Sequence, residues 1–75
     1  QIIREHREKR NWTRKILAAK TGISISHVRV IEMRQGNPSV MVFVAIAVAF
    51  GIDADKLLLE AMQRQAYLND KNRLE

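Results

Sequence analysis

The sequence predicts an all-α domain with five helices, and three observations support this class. Hydroxyl side chains precede apolar or helix-forming segments at the places where N-caps are expected, namely Thr13, Ser24 and Ser39. Gly22 and Gly51 follow such segments, as glycine commonly does after a helix. The apolar run of residues 40–50 is longer than a typical strand of roughly 4–8 residues. At 75 residues, the chain is expected to form one small domain at 1–73, and residues 74–75 could be vector-derived.

The helices are expected at about residues 1–10, 13–20, 24–34, 39–50 and 53–69. The first is rich in helix formers, and Asn11 tolerates the left-handed backbone conformation that ends many helices. The fourth is apolar on all sides, with Val40 and Phe43 in one stripe and Met41 in a second. Such a helix is normally buried on both faces. Asp53 is expected to cap the fifth helix, whose apolar residues repeat at helical spacing.

The segment of residues 24–33 could alternatively be extended. Residues 23–26 alternate between isoleucine and serine, as a half-buried strand does, and residues 28–33 could pair with residues 40–46 in a hairpin. The alternation breaks at His27, however, and an isolated two-stranded hairpin is only marginally stable. A third helix is therefore the favoured interpretation.

Positive charge is concentrated in the first half of the chain. The net charge is +5; residues 1–38 hold nine basic and three acidic side chains, whereas residues 39–75 hold four basic and five acidic ones. This distribution favours contact between the first half and a polyanion. Cysteine is absent, so no disulfide or thiolate metal site is expected, and a reducing cytoplasm is the expected location. The longest apolar run is too short to cross a bilayer.

The sequence contains no recognisable catalytic constellation. The two histidines, His6 and His27, are well separated, the carboxylates are scattered singly, and no glycine-rich loop is present to hold a phosphate. We therefore expect neither an enzyme nor a cofactor or metal site. His6 is interpreted as a partly buried packing residue.

The second and third predicted helices, joined at Gly22, form a helix-turn-helix unit. The second helix of such a unit enters a major groove about 12 Å wide, while the first crosses behind it and braces it. A small residue is needed where the two helices approach each other, and Ala18 occupies that place.

Three consecutive segments carry a more specific signal. Residues 12–24 read WTRKILAAKTGIS, residues 28–39 read VRVIEMRQGNPS, and residues 46–58 read IAVAFGIDADKLL. Together, over residues 2–59, the chain resembles the lambda-repressor/Cro (Xre-type) helix-turn-helix family of DNA-binding domains, with no gap in the spacing. The resemblance implies the five-helix lambda-repressor-like fold and binding to double-stranded DNA.

The chain departs from the family pattern at several positions. The glutamine that opens the family's second helix and contacts a phosphate is Arg14 here, which keeps that role and adds charge. A core leucine of the first helix is replaced by His6, and a glycine that follows the third helix is replaced by Arg34. Ile25 and Val30 stand where the third helix is usually polar.

The resemblance also implies which side chains face DNA. The base-facing positions are Ser24, Ile25, Ser26, Arg29 and Val30. Arg29 suits guanine, whereas Ile25 and Val30 suit the methyl groups of thymine. The expected phosphate contacts are Thr13 through its backbone N–H, Arg14, Lys15, His27 and Arg34. Alternatively, Ile25 and Val30 are additional core residues covered by another part of the protein.

The second apolar face of the fourth helix requires a cover. Either the fifth helix folds back on Met41, Ala45 and Val48, or two chains pair through these residues together with Met62 and Ala66. A homodimer is the favoured interpretation. A two-fold dimer would hold its two reading helices about 34 Å apart and would require a palindromic site.

The sequence thus predicts a sequence-specific regulator of transcription, expected to be a repressor from a bacterium, phage or mobile element that acts at the nucleoid. Two alternatives remain. One is a protein-interaction module whose apolar third and fourth helices bind a partner protein, and the other is an antitoxin-type regulator that combines both roles.

Overall fold

The computed structural model of the protein contains five α-helices and describes residues 2–33 and 38–74, without the side chains of residues 68, 69 and 71–74. The helices are α1 (Ile2–Lys9), α2 (Arg14–Thr21), α3 (Ile25–Glu32), α4 (Val40–Phe50) and α5 (Ala54–Leu74). The predicted all-α class is confirmed, and the described ranges contain no strand. No described helix combines the length and the apolar character needed to cross a membrane.

The residues for which a hairpin was considered are helical. Residues 28–32 belong to α3 and residues 40–46 belong to α4, so the strand alternative is wrong. The hydroxyl groups that flank these segments act as N-caps, and the same holds at α2. Ser24 Oγ accepts a hydrogen bond from the His27 N–H at 3.0 Å, Ser39 Oγ from the Val42 N–H at 3.2 Å, and Thr13 Oγ1 from the Ile16 N–H at 3.1 Å.

Left-handed residues end three of the helical segments. Gly22 and Gly51 have φ values of 76° and 73°, and each donates its N–H back to the preceding helix. Asn11, with a φ of 58°, turns the chain after α1. Asp53 precedes α5 as predicted, and its carbonyl accepts from the Leu57 N–H, but the side-chain oxygen that accepts from the Lys56 N–H belongs to Asp55.

Two helix ends differ from the sequence prediction. α3 ends at Glu32 rather than at residue 34, because Met33 leaves the helical region with a φ of −94° and a ψ of 74°. α5 continues to Leu74 rather than stopping at residue 69. Neither glycine nor proline follows Gly51, so the sequence supplies no residue that would stop the helix earlier. Leu74 therefore lies within α5.

The core lies where α2 and α4 meet the other helices, since α2 packs on α3 and α4, and α4 packs on α1 and α5. Its buried apolar residues are Ile2, Ile3, Leu17, Ala18, Val28, Ile31, Ile46, Ala47, Phe50 and Leu57. Ala18 is buried on α2, as expected of a small residue at a close helix approach. Each of the first three helices has eight residues, so their stability depends on this shared burial.

The expectation that α4 is buried on both faces is wrong within the described chain. Val40 and Met41 are 79% and 81% exposed, and Val44 and Val48 are also exposed. Met41, Val44 and Val48 are spaced by three or four positions and share one side of the helix, away from Ile46 and Phe50. Val40 lies seven positions before the buried Ala47 and on the same side of the helix, but in the first turn of α4 it is exposed.

The fifth helix packs on α4 and is linked to α1 by side chains, but it leaves Met41 and Val48 exposed. The Arg64 guanidinium donates to both carboxylate oxygens of Glu5, at 2.6 and 3.0 Å. One turn earlier on α5, Glu60 Oε1 lies 2.6 Å from His6 Nε2. The alternative in which α5 folds back on Met41 and its neighbours is therefore wrong.

Aromatic rings join the end of α1, the start of α2 and the end of α4. The Phe50 ring lies 5.7 Å from Trp12 and 5.5 Å from the half-buried His6. The Arg10 guanidinium lies over the rings of Phe50 and Trp12 and donates to the Phe50 carbonyl at 2.8 Å. Arg10 therefore satisfies a carbonyl at the C-terminal end of α4, where the helix itself provides no donor.

Candidate nucleic-acid interface

The helix-turn-helix unit consists of α2 and α3, which pack against each other on either side of the turn at Gly22. Val28 and Ile31 bury the inner face of α3, and Leu17 buries that of α2. The cap at Ser24 sets the residue at which α3 begins. One face of α3 is thereby fixed to the core, and the opposite face is left to solvent.

Four of the five residues predicted to face bases lie on the exposed side of α3, and the fifth, Ser24, caps its start. Ser24, Ser26 and Arg29 are exposed, and Ile25 and Val30 are 41% and 50% exposed. The alternative that Ile25 and Val30 are core residues is therefore wrong for the described chain. Their exposure leaves two branched apolar groups beside a guanidinium on a helix that projects from the fold.

Met33 extends this exposed face and was missed by the sequence prediction. It lies four residues after Arg29, which in turn lies four residues after Ile25, and this spacing places all three along one side of the helix axis. The i, i+4 and i+8 pattern from Ile25 could have identified it. His27 is exposed on the flank of the same helix.

Three of the residues predicted to contact phosphates, Thr13, Arg14 and Lys15, lie at the start of α2. Thr13 and Lys15 are exposed, and Arg14 is half-buried. The backbone N–H groups of Arg14 and Lys15 occupy the first turn, where no helical carbonyl is available to accept from them. Such N–H groups, together with the positive end of the helix dipole, favour an anion. Arg34 lies outside the described residues.

A buried carboxylate links α3 to the two helices that precede it. Glu32 accepts from Arg7 Nε at 2.8 Å and from Arg7 Nη2 at 3.1 Å, and it also accepts from Arg14 Nε at 3.1 Å. The Glu32 side chain is only 1% exposed. Arg7 uses its remaining Nη1 to donate to the Trp12 carbonyl at 2.8 Å. No buried side-chain nitrogen or oxygen is left unpaired in the described part of the chain.

The arginines keep Glu32 ionised. Burial alone raises the pKa of this carboxyl, but hydrogen bonds from Arg7 and Arg14 outweigh burial and hold the pKa below its ordinary value of 4.5. The hydrogen bonding between Arg7 and Glu32 also raises the pKa of Arg7. At neutral pH the cluster therefore contains two guanidinium groups and one carboxylate, which leaves one positive charge in excess.

Sequence reasoning assigned no role to Arg7 and Glu32, although the pattern contains a signal. Glu32 follows the buried residues Val28 and Ile31 at the spacing of one helix face, and Arg7 lies one turn after the buried Ile3. Charged residues at core positions of two helices are rarely buried unless they are paired. This rule could have predicted the ion pair.

The residues predicted to form a dimer lie on α4 and α5. Met41, Val48, Met62 and Ala66 are exposed and Ala45 is half-buried. An apolar groove of about 430 Å³ lies between α4 and α5, and none of these five residues lines it. Its lining includes Val40, Phe43, Val44, Leu58 and Ala61. Neither this groove nor the rest of the described chain holds three or more potential metal ligands together.

Taken together, the paired short helices and the exposed outer face of α3 define a helix-turn-helix domain. The sequence model of the lambda-repressor/Cro/Xre-like helix-turn-helix family matches residues 3–57, and the chain belongs to this family. The family consists of DNA-binding regulators of transcription, and membership assigns this general function to the chain. Comparisons with curated proteins and with solved structures give no significant match.

Proposed function

We propose that the protein is a sequence-specific repressor that binds double-stranded DNA as a homodimer on a palindromic operator. The observation that supports this most directly is the outer face of α3. It combines one exposed arginine, exposed serines and exposed branched apolar side chains on a helix whose inner face is fixed to the core. A major groove offers partners for each of these groups.

Base recognition is assigned to the outer face of α3. Arg29 can donate two hydrogen bonds to guanine, and Ile25 and Val30 can pack against thymine methyl groups, each pairing contributing about 1–3 kcal/mol of discrimination. Ser24 uses its side chain to cap α3, so Ser26 is the serine with its hydroxyl available for a base or phosphate. Contact with thymine methyl groups would also remove the exposed apolar side chains from water.

Contact with the DNA backbone is assigned to the start of α2 and the flanks of α3. The N–H groups of the first turn and the side chains of Arg14 and Lys15 meet one strand, and His27 and Arg34 lie on or beyond α3. These contacts carry no sequence information, but they orient the domain on the duplex.

The dimer is assigned to a second copy of the chain that packs on the exposed apolar side of α4 and on α5. The supporting observation is that Met41, Val48 and Met62 remain exposed although α4 and α5 pack on each other. Exposed apolar side chains grouped on helix surfaces often mark an interface. A two-fold pair bound across an operator would block access to that DNA, which is the basis for assigning repression at the nucleoid.

Selection of bound oligonucleotides from a random pool tests the proposal. In roughly 100–200 mM salt, we expect enrichment of one motif with inverted half-sites about one helical turn apart. Arg29→Ala should relax the preference at one base pair of each half-site. Lys56→Ala, a charge-removing control on the first turn of α5, should select the same motif. A pool that shows no enrichment would argue against sequence-specific binding.

The exposed apolar side chains of α3 also favour a second candidate, a module that binds a partner protein. This candidate predicts only salt-sensitive retention of genomic DNA fragments, without a selected motif. The same experiment therefore separates the two functions.

Sedimentation tests the dimer separately from DNA binding. We expect a dimer at micromolar concentration, and we expect Met41→Glu with Val48→Glu to give a folded monomer, since both side chains are exposed in the single chain. Replacement of exposed Lys20 and Lys56 by glutamate introduces the same residue type elsewhere and should leave the dimer intact. A wild-type protein that sediments only as a monomer would exclude the dimer.

A further inference from the structure

We propose that Glu32 is a positioning residue that holds the Arg14 guanidinium in place for a DNA phosphate. This inference rests on the proposed phosphate contact at the start of α2 and assigns a role to a buried side chain that does not itself reach DNA. It follows from the geometry of one carboxylate shared between two arginines.

The two arginines use Glu32 differently. Arg7 donates one hydrogen bond to each carboxylate oxygen and a third to the Trp12 carbonyl, so all three nitrogens of its guanidinium donate inside the domain. Arg14 donates only its Nε, at 3.1 Å, and neither of its Nη groups donates to an acceptor in the described part of the chain. Arg14 is therefore anchored at one edge and has four N–H groups available at the other.

The exposed fractions of the two arginine side chains support the same difference in their roles. The Arg7 side chain is 10% exposed, whereas that of Arg14 is 36% exposed. Arg14 is also the first residue of α2, next to the backbone N–H groups that favour an anion. The anchored guanidinium and the helix start thus lie together at the surface assigned to the DNA backbone.

Charge is retained in spite of the ion pair. Glu32 contributes one negative charge to a cluster with two guanidinium groups, so one positive charge remains available to attract a phosphate. Holding a flexible side chain in advance lowers the entropy cost of binding, which for one such side chain corresponds to about two- to tenfold in affinity.

The sign of the effect of Glu32→Gln distinguishes positioning from simple electrostatics. This substitution removes a negative charge, so electrostatics alone predicts tighter binding to DNA. Positioning predicts about two- to tenfold weaker binding, because glutamine holds the guanidinium less firmly than a carboxylate does. The probe is a mixed-sequence duplex of about 20 base pairs at roughly 50 mM salt, since phosphate contacts dominate binding of this kind.

A double-mutant cycle identifies Arg14 as the group through which Glu32 acts. We expect Glu32→Gln to weaken binding when Arg14 is present and to cause no weakening when Arg14 is replaced by alanine. Glu8→Gln, which removes the same charge from an exposed site on α1, should leave binding unchanged or slightly tighter. Equal weakening in both backgrounds, or tighter binding of Glu32→Gln, would overturn the inference.

Arg14→Lys provides a second test that leaves the Arg7–Glu32 pair in place, in case Glu32→Gln fails to fold. Lysine keeps the charge but lacks the fork that binds a carboxylate and a phosphate at once. We expect weaker binding with an unchanged dependence on salt, and binding as tight as that of the wild type would refute the positioning role. Failure of the wild type to bind this duplex, together with no enriched motif in the selection from a random pool, would instead refute the proposed DNA function and this inference with it.

Discussion

Arg29 lies one turn after Ile25 and directly before Val30, on the side of α3 that faces away from the core. The arrangement places a fork of hydrogen-bond donors beside branched apolar side chains. At the start of α2, by contrast, Lys15 and the backbone N–H groups are suited to attracting a phosphate of any sequence. In the proposed complex, α3 would therefore contact the bases and the start of α2 would contact the backbone.

Replacing Lys15 with alanine should weaken binding to all DNA sequences alike. If Lys15 neutralises one phosphate, its loss should reduce the slope of log affinity against log salt by about one. Titrations of one duplex at several salt concentrations measure this slope. Lys56→Ala is the matched control, because Lys56 is also exposed in the first turn of a helix but lies outside the helix-turn-helix unit. Equal slopes for Lys15→Ala and wild type would contradict the contact.

The sequence predicted the exposed residues of α3 better than it predicted the buried charges beneath them. The exposure of Arg29 and Ser26 follows from the spacing of Val28 and Ile31, which is local to one helix. The burial of Glu32 depends on Arg7, which lies 25 positions away on another helix. A periodic pattern in one segment does not show which side chain of another segment will compensate a charge.

At the scale of helices, the short elements depend on their ends. α1, α2 and α3 each have eight residues, fewer than an isolated helix needs in water. A cap that accepts from one N–H group of the first turn therefore contributes a larger fraction of the stability of such a short helix than it would contribute to that of α5.

Ser24→Ala should lower the free energy of unfolding by about 1 kcal/mol, because it removes the oxygen that accepts from the His27 N–H. Ser26→Ala, the same substitution two residues later on the exposed side, should change stability by less than about 0.5 kcal/mol. Urea unfolding of both variants measures the difference. Similar losses for the two serines would show that the cap makes no special contribution.

Leu57→Ala should destabilise the protein by about 2–5 kcal/mol, because Leu57 is only 1% exposed and its removal leaves a cavity beneath α5. Leu59→Ala is the control on the same helix, since Leu59 is 55% exposed and should contribute less than about 0.5 kcal/mol. Thermal unfolding of the two variants provides the comparison. A small loss for Leu57→Ala would mean that α5 is not anchored at this position.

Helix caps were predictable because each depends on a few neighbouring residues, and Thr13, Ser24 and Ser39 all act as expected. The buried face of α4 was not predictable, because a helix that is apolar on every side has no sequence pattern that distinguishes core from surface. The ion pair that links α5 to α1 was not predictable either, because Glu5 and Arg64 are 59 positions apart.

At the scale of the whole molecule, charge is divided between two sides. Exposed Lys15 and Arg29 belong to the helix-turn-helix unit, whereas Glu5 pairs with Arg64 and Glu60 contacts His6 between α1 and α5. α5 also continues beyond the family match, which ends at residue 57. The extension gives the molecule a long axis of 41 Å against 24 and 23 Å for the others.

Acidification should destabilise the fold below about pH 4.5 and not in the range just above it. Arg64 lowers the pKa of Glu5 to about 2, and hydrogen bonds from the arginines lower the pKa of Glu32 in spite of burial, whereas both carboxyls ordinarily titrate near 4.5. On acidification the unfolded chain therefore binds more protons than the folded one. The stabilisation from these two carboxylates is complete above pH 4.5 and is lost as the pH falls through their folded-state pKa values.

Thermal midpoints measured between about pH 5 and pH 2 test this expectation. Glu32→Gln should be less stable than the wild type at pH 5 and should lose less stability on acidification, because one of the two linked groups has been removed. A wild-type midpoint that stays constant or rises towards pH 2 would contradict the linkage.

Trp12 is the single tryptophan of the chain, and it is stacked on Phe50 with cations from Arg10 and Lys20 nearby. The domain consequently contains its own fluorophore, one residue before the cap of α2. Its emission spectrum should respond when the junction of α1, α2 and α4 comes apart, so unfolding can be followed optically without attaching a dye or altering the DNA-facing surface.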